Sequence, residues 1–301
     1  MINRRLFAQV FRWVGLAATG LLFAAVSNAQ TGITATKHNL STTAGNPGTN
    51  KVTTGTDQIC VFCHTPHGSN TNASVPLWNK GIPTSAVYQS YATLNTSSLN
   101  GEVLAVGSVS MACLSCHDGT QAMDNMMNAP GAGGYTGTGA SPAAWVWTGT
   151  NQSAGVITGA ITNIGADLKN DHPIGIAYCG GGVTGSGAAV TAACADGDFI
   201  GAGTNTTTSD GRTATLSTAS INTVQTFWID LPPPAGGALD GKRGKTDINL
   251  YTRTFTAGAG RPSVECGSCH DPHVESKGTD NVMFMRVTTA GSKICLSCHV
   301  K

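Results

Sequence analysis

Charge is what this sequence has least of. Aspartate, glutamate, lysine and arginine supply 11% of its 301 residues, and aromatic residues 6%; an ordinary globular chain carries about twice that charge. The formal net charge is only +1, which gives no basic field to hold nucleic acid. Long apolar runs are missing too. The stretch from Val14 to Val26 is well short of the about 20 residues that cross a bilayer as a helix. No sustained heptad or helical periodicity is present, which excludes coiled coils and long amphipathic helices. With 39 glycines and few large side chains, the chain is expected to struggle to bury a core made of protein alone.

What is there is cysteine and histidine in a fixed arrangement. Cys60-Val-Phe-Cys63-His64 recurs as Cys113-Leu-Ser-Cys116-His117, Cys266-Gly-Ser-Cys269-His270 and Cys295-Leu-Ser-Cys298-His299. Cys-x-x-Cys-His is the attachment signature of c-type haem. Each thiol adds to a vinyl group, and the histidine becomes the proximal ligand of the iron. Structural zinc also uses Cys-x-x-Cys pairs, but zinc does not require a histidine after every pair. Four copies predict four covalently bound haem c groups, whose macrocycles would supply the apolar bulk that the composition lacks.

Histidine arithmetic sets the expected coordination. The chain has eight histidines. Four follow the cysteine pairs, and the others are His38, His67, His172 and His273. Four irons with two imidazoles each would use all eight, so these four are expected as distal ligands. Pro66, Pro173 and Pro272 sit beside three of them; proline fixes its own φ and extends the residue before it, which holds a projecting side chain still. His67 and His273 each lie three residues beyond a proximal histidine. Three residues reach about 10–11 Å at most, too short to pass around a macrocycle, so each is expected on a neighbouring haem. Met123, Met126 and Met127 are the competing ligands; methionine would raise a haem's potential.

The amino terminus reads as a signal peptide over 1–29. Arg4, Arg5 and Arg12 precede the apolar run, and Ser27-Asn28-Ala29 suits cleavage. Its removal takes three of the 17 basic residues and none of the 16 acidic ones, leaving acids in excess by two. Export, to the cell surface or beyond with the periplasm as the alternative, fits covalent haem attachment outside the cytoplasmic membrane. No other segment is expected to span a membrane. In an oxidising compartment the two remaining cysteines, Cys179 and Cys194, are expected to form a disulfide.

The two ends repeat each other. Each has an isolated histidine (His38, His172), a Cys-x-x-Cys-His-x-Pro-His segment (60–67, 266–273) and a Cys-Leu-Ser-Cys-His segment (113–117, 295–299). The expected organisation is a first dihaem module over 30–130, a Gly/Thr/Ser/Ala-rich insertion over 131–260 that carries His172 and the disulfide loop, and a second dihaem module over 261–301. The two modules are expected to pack as one tetrahaem unit. The expected fold is a haem-organised multihaem cytochrome, mostly irregular coil, with short helices at the haem motifs. A few β-strands are expected in the insertion, where Thr213 to Leu231 reads as strand-like.

Lys37-His38-Asn-Leu-Ser41, Cys60-Val-Phe-Cys-His-Thr-Pro-His67, Pro76-Leu-Trp-Asn79, Cys113-Leu-Ser-Cys-His-Asp-Gly-Thr120, Asp171-His-Pro-Ile-Gly175 and Cys266-Gly-Ser-Cys-His-Asp-Pro-His273 resemble the exported cytochromes with doubled Cys-x-x-Cys-His motifs. That family includes the tetrahaem subunits of extracellular cytochrome filaments, the OmcE-type nanowires. The resemblance implies a continuous stack of bis-histidine haems in a head-to-tail homopolymer, with a distal ligand shared between subunits; His38 is the expected donor. Other redox proteins or extracellular acceptors would be the partners. The expected function is electron transfer with no catalytic residues. A soluble electron shuttle is the alternative, and a multihaem reductase with one open haem is the rival class.

Overall fold

The computed structural model describes residues 32–84, 87–94, 96–131, 135–141, 143–203, 205–233, 236–274 and 284–300. Short strands come first: β1 (Lys51–Val52) pairs with β2 (Trp147–Thr148), and β3 (Gln152–Ser153) with β4 (Val156–Ile157). The main element is a six-stranded sheet built from β5 (Ile176–Ala177), β8 (Thr206–Thr207), β9 (Thr213–Ile221), β10 (Val224–Asp230), β11 (Ile248–Phe255) and β12 (Gly258–Val264). A two-stranded ribbon, β6 (Gly185–Ser186) with β7 (Ala189–Val190), lies between β5 and β8 in the chain. The spatial order is β5-β12-β11-β10-β9-β8, antiparallel throughout.

Simple alternation explains the sheet's central hairpin. Along β9 the side chains of Ala214, Leu216 and Thr218 are buried, and those between them face outward. The period of two places one face on a core. Asn222 and Thr223, both at positive φ, turn the chain from β9 into β10 in the two-residue geometry that suits twisted strands. The core under the sheet gathers Tyr178, Val183, Ile200, Leu216, Phe227, Ile229, Ile248 and Leu250, with Cys298 and Val300 packed against it. The Cys179–Cys194 disulfide is present.

Two smaller clusters back the first two motifs. Leu40, Val52, Phe62, Met123, Met126 and Ile157 pack together beside Cys63 and Cys116. Phe62 meets Trp145 and Trp147 edge-on, at 5.6 and 6.1 Å between ring centres. Tyr88, Val106, Met111, Leu114 and Leu168 form the second cluster.

This architecture corrects the expected fold. The described chain is β-rich, organised on one six-stranded antiparallel sheet with few helices, and is not mostly coil. It also buries a protein core after all. Small β-strand residues hid both: threonine, serine and alanine fill the pleat without giving a strong hydrophobic signal. The segment 1–29, read as a signal peptide, lies outside the described residues. Among the described residues no helix is long and apolar enough to cross a membrane.

Candidate haem-attachment sites

Each Cys-x-x-Cys-His segment forms one tight turn of helix. Cys60–Phe62 and Cys295–Ser297 are 3₁₀ turns, α1 (Ser108–His117) ends on its motif histidine, and α2 (Cys266–Cys269) is a single turn. Residues three apart share a face of such a turn, so the two cysteines of each motif point the same way. The histidine follows at once, its N–H donating to the first cysteine's carbonyl at Cys60 (2.8 Å), Cys266 (3.0 Å) and Cys295 (2.9 Å). All eight motif cysteines are half-buried or exposed, as thiols that must meet a macrocycle have to be. Burial still pushes the Cys63 thiol up to about 12.

The sheet and its loops fix where the turns sit. β12 runs into Glu265, which caps α2 and is itself buried. Its carboxylate accepts from Ser110 of α1 (2.6 Å), Arg253 of β11 (2.9 Å) and Ser263 (3.1 Å), tying the second and third motifs to the sheet. The fourth motif is held by Ile200 N–H donating to the Cys298 carbonyl (2.8 Å) and by Val300 N–H donating to Asp198 (2.9 Å).

The imidazoles are oriented through Nδ1. His64 donates from Nδ1 to the Pro76 carbonyl (2.8 Å), His117 to Thr162 (2.7 Å), His38 to Pro272 (2.9 Å) and His172 to Pro173 (3.0 Å). His273 turns Nδ1 towards Asp271 Oδ1 at 3.3 Å. A ring whose Nδ1 is occupied in this way presents Nε2, and this outer contact is how metal-ligating histidines are normally held.

Two ring pairs have the separation that an iron between them requires. His64 and His273 lie 6.2 Å apart between ring centres, with planes 14° from parallel. His38 and His117 lie 6.1 Å apart. A metal–imidazole bond is about 2.0 Å, so two nitrogens sharing a metal are about 4 Å apart and their ring centres about 6 Å. The residues therefore fit bis-histidine haem. His38 also stacks on Phe284 at 4.0 Å, and burial pushes its pKa down to about 4, leaving the neutral ring that binds a metal. His299 is also held below its usual value, first by burial and then by the charge of His172.

The cysteines follow one another in space as they do in sequence. Cys63 lies within electrostatic reach of Cys116, Cys113 within reach of Cys266, and Cys269 within reach of Cys295. Neighbouring attachment points thus adjoin from the first motif to the fourth.

The expected distal ligands are placed unevenly. His273 meets His64, a histidine of another motif, and His38 meets His117 of its own chain. His172 is exposed but within electrostatic reach of His299. His67 is exposed, and the groups acting on His270 are its own burial, His117 and Arg286. Met123 and Met126 are core residues packed around Phe62. Sequence reasoning missed the orienting acceptors: carbonyls at positions 76, 162 and 272 carry no side-chain signal, whereas Asp271, between His270 and His273, was visible.

A family model, the doubled CXXCH motif, matches residues 261–301. That match supports placing the chain among c-type cytochrome-like, haem-binding proteins. No curated protein and no solved structure matches the chain.

Proposed function

We propose that the chain holds four haems, each bound through one Cys-x-x-Cys-His motif and each between two imidazoles, and carries electrons along them as a subunit of an extracellular filament. The observation that carries this reading is the two histidine ring pairs, one edge-on at 6.1 Å and one near-parallel at 6.2 Å between ring centres. Bound haem would supply iron that gains and loses single electrons. The protein's part is to hold imidazoles on both faces, so that no substrate reaches the metal, and to keep the attachment points adjoining. Electron transfer without substrate chemistry follows.

The pairing left over is His67 with His270. His67 is exposed, and His270 has His117 and Arg286 acting on it. In a head-to-tail polymer, His67 of one copy completes the His270 site of the next, which replaces His38 as the shared ligand. A heterologous contact of this kind does not close on itself and builds an open helix. In a lone subunit the same site would keep an open face, which is the specific feature favouring the reductase reading.

Intact mass of the exported protein tests the haem count, and electron microscopy of the extracellular fraction tests the polymer. Filaments in the parent and dispersed particles in His67→Ala are expected. Filaments that persist in the variant would refute the ligand swap. Monodisperse parent protein that binds no carbon monoxide would leave a soluble carrier.

A further inference from the structure

Four histidines turn Nδ1 to a neutral backbone carbonyl, but His273 turns it to a carboxylate. Asp271 Oδ1 accepts the backbone N–H of His273 (3.1 Å) and lies 3.3 Å from its Nδ1. Asp271 is 7% exposed, while the side chain of His273 is 56% exposed. Its other oxygen faces the Arg286 guanidinium at 3.7 Å. Arg286, also buried, is fixed by donating to the Gly267 carbonyl (3.0 Å) and the Lys245 carbonyl (3.1 Å).

We infer that Asp271 is a positioning and tuning residue: it orients His273 and makes it a more basic ligand, lowering the potential of the iron shared with His64, while Arg286 limits the effect. An anionic partner at the outer nitrogen draws the ring N–H and raises electron density at the inner one. A more basic ligand favours oxidised over reduced iron. The His38/His117 pair supplies the internal contrast, because both of its outer contacts are carbonyls. The first site is therefore the more reducing of the two.

This inference rests on the His64–His273 haem of the proposed function, and one experiment separates the two. Spectroelectrochemical titration of the haem-loaded protein is followed by electron paramagnetic resonance, with the relevant haem identified as the one that becomes high-spin in His273→Ala. In Asp271→Asn that haem should stay low-spin while its oxidised-to-reduced equilibrium shifts about tenfold, a rise of about 59 mV for one electron. Arg286→Gln should move it in the opposite direction, a sign that simple loosening of the site would not give. No shift in either variant, a uniform shift of every haem, or a high-spin haem in Asp271→Asn would each overturn the inference. If His273→Ala leaves every haem low-spin, the haem assignment itself fails first.

Discussion

Replacement of His273 by alanine would remove the ring that lies 6.2 Å from His64. Alanine ends at Cβ, leaving no side-chain atom to cross the gap. His38, another candidate ligand, is committed to the Pro272 carbonyl through Nδ1 and lies edge-on to His117. The expected outcome is one five-coordinate haem, read as high-spin iron and as about one carbon monoxide bound per chain beyond the parent. Covalent attachment is expected to be unaffected, because the thiols are untouched. Sequence proximity alone would suggest the opened haem is the one on Cys266 and Cys269, three residues from His273. The proposed His64–His273 pairing makes it the one on Cys60 and Cys63. A second background decides: in Cys60→Ala/Cys63→Ala protein the first haem is absent, so adding His273→Ala should open nothing further. Non-additivity of this kind is the signature of two changes acting at one site. A new high-spin signal in the triple variant would refute the His64–His273 pairing.

Other perturbations test the scaffold. Phe227, fully buried under the sheet, should cost about 3–5 kcal/mol on truncation to alanine, a fall of about 6–20 °C in the thermal midpoint. Replacing Cys179 and Cys194 by serine opens a loop with a separation of 15 residues and should cost about 3 kcal/mol, measured in denaturant with the haems bound. Asp230 is 1% exposed with one oxygen unpartnered, and burial raises its pKa. The folded chain thus holds this proton more tightly than the unfolded chain. Its stabilising contribution is complete below the unfolded value, about 3.9, and is lost as pH rises through the folded one. Asp230→Asn should therefore stabilise the protein at neutral pH by about 1–2 kcal/mol and do nothing in strong acid; equal effects at both would refute this account.

The Cys-x-x-Cys-His segments were legible because their pattern is local: two thiols and an imidazole within five residues need only one turn of helix. Disulfide pairing was legible by subtraction. The ligand pairs were not, since His64 meets a histidine 209 positions away, and no local pattern encodes that meeting. What could be read was the negative half: three extended residues are too short to close a haem upon itself. The strand-like run from Thr213 to Leu231 was legible, but the extent of the sheet, which also takes in β5, β8, β11 and β12, was hidden by composition. In Thr213-Ala-Thr-Leu-Ser-Thr-Ala-Ser-Ile221 the inward positions include Ala214 and Thr218, so the alternation is real in burial but faint in hydrophobicity. The same glycine, threonine and serine content is what flexible linkers carry. Pairing across the sheet, a tertiary event, decided between them.

One loop joins several of these sites. In His270-Asp271-Pro272-His273, the first residue follows the third motif, Asp271 steadies His273, the Pro272 carbonyl holds His38 against His117, and His273 meets His64. The loop is pinned at its start by Asp271 N–H donating to the Phe284 carbonyl (2.7 Å), and Phe284 also stacks on His38. Residues from the first three motifs thus depend on one short turn of the last forty residues. Errors there should spread. Inserting a single glycine between Pro272 and His273 leaves every ligand present but advances His273 by about 3.3–3.6 Å, more than the tolerance of a metal bond. The His64 site should lose its distal ring, while the His299 site, built on the sheet's core through Cys298 and Val300, should stay intact. Loss of low-spin character at all sites together would mean that the loop is not the joint, and that the protein unfolds as one body when any ligand is displaced.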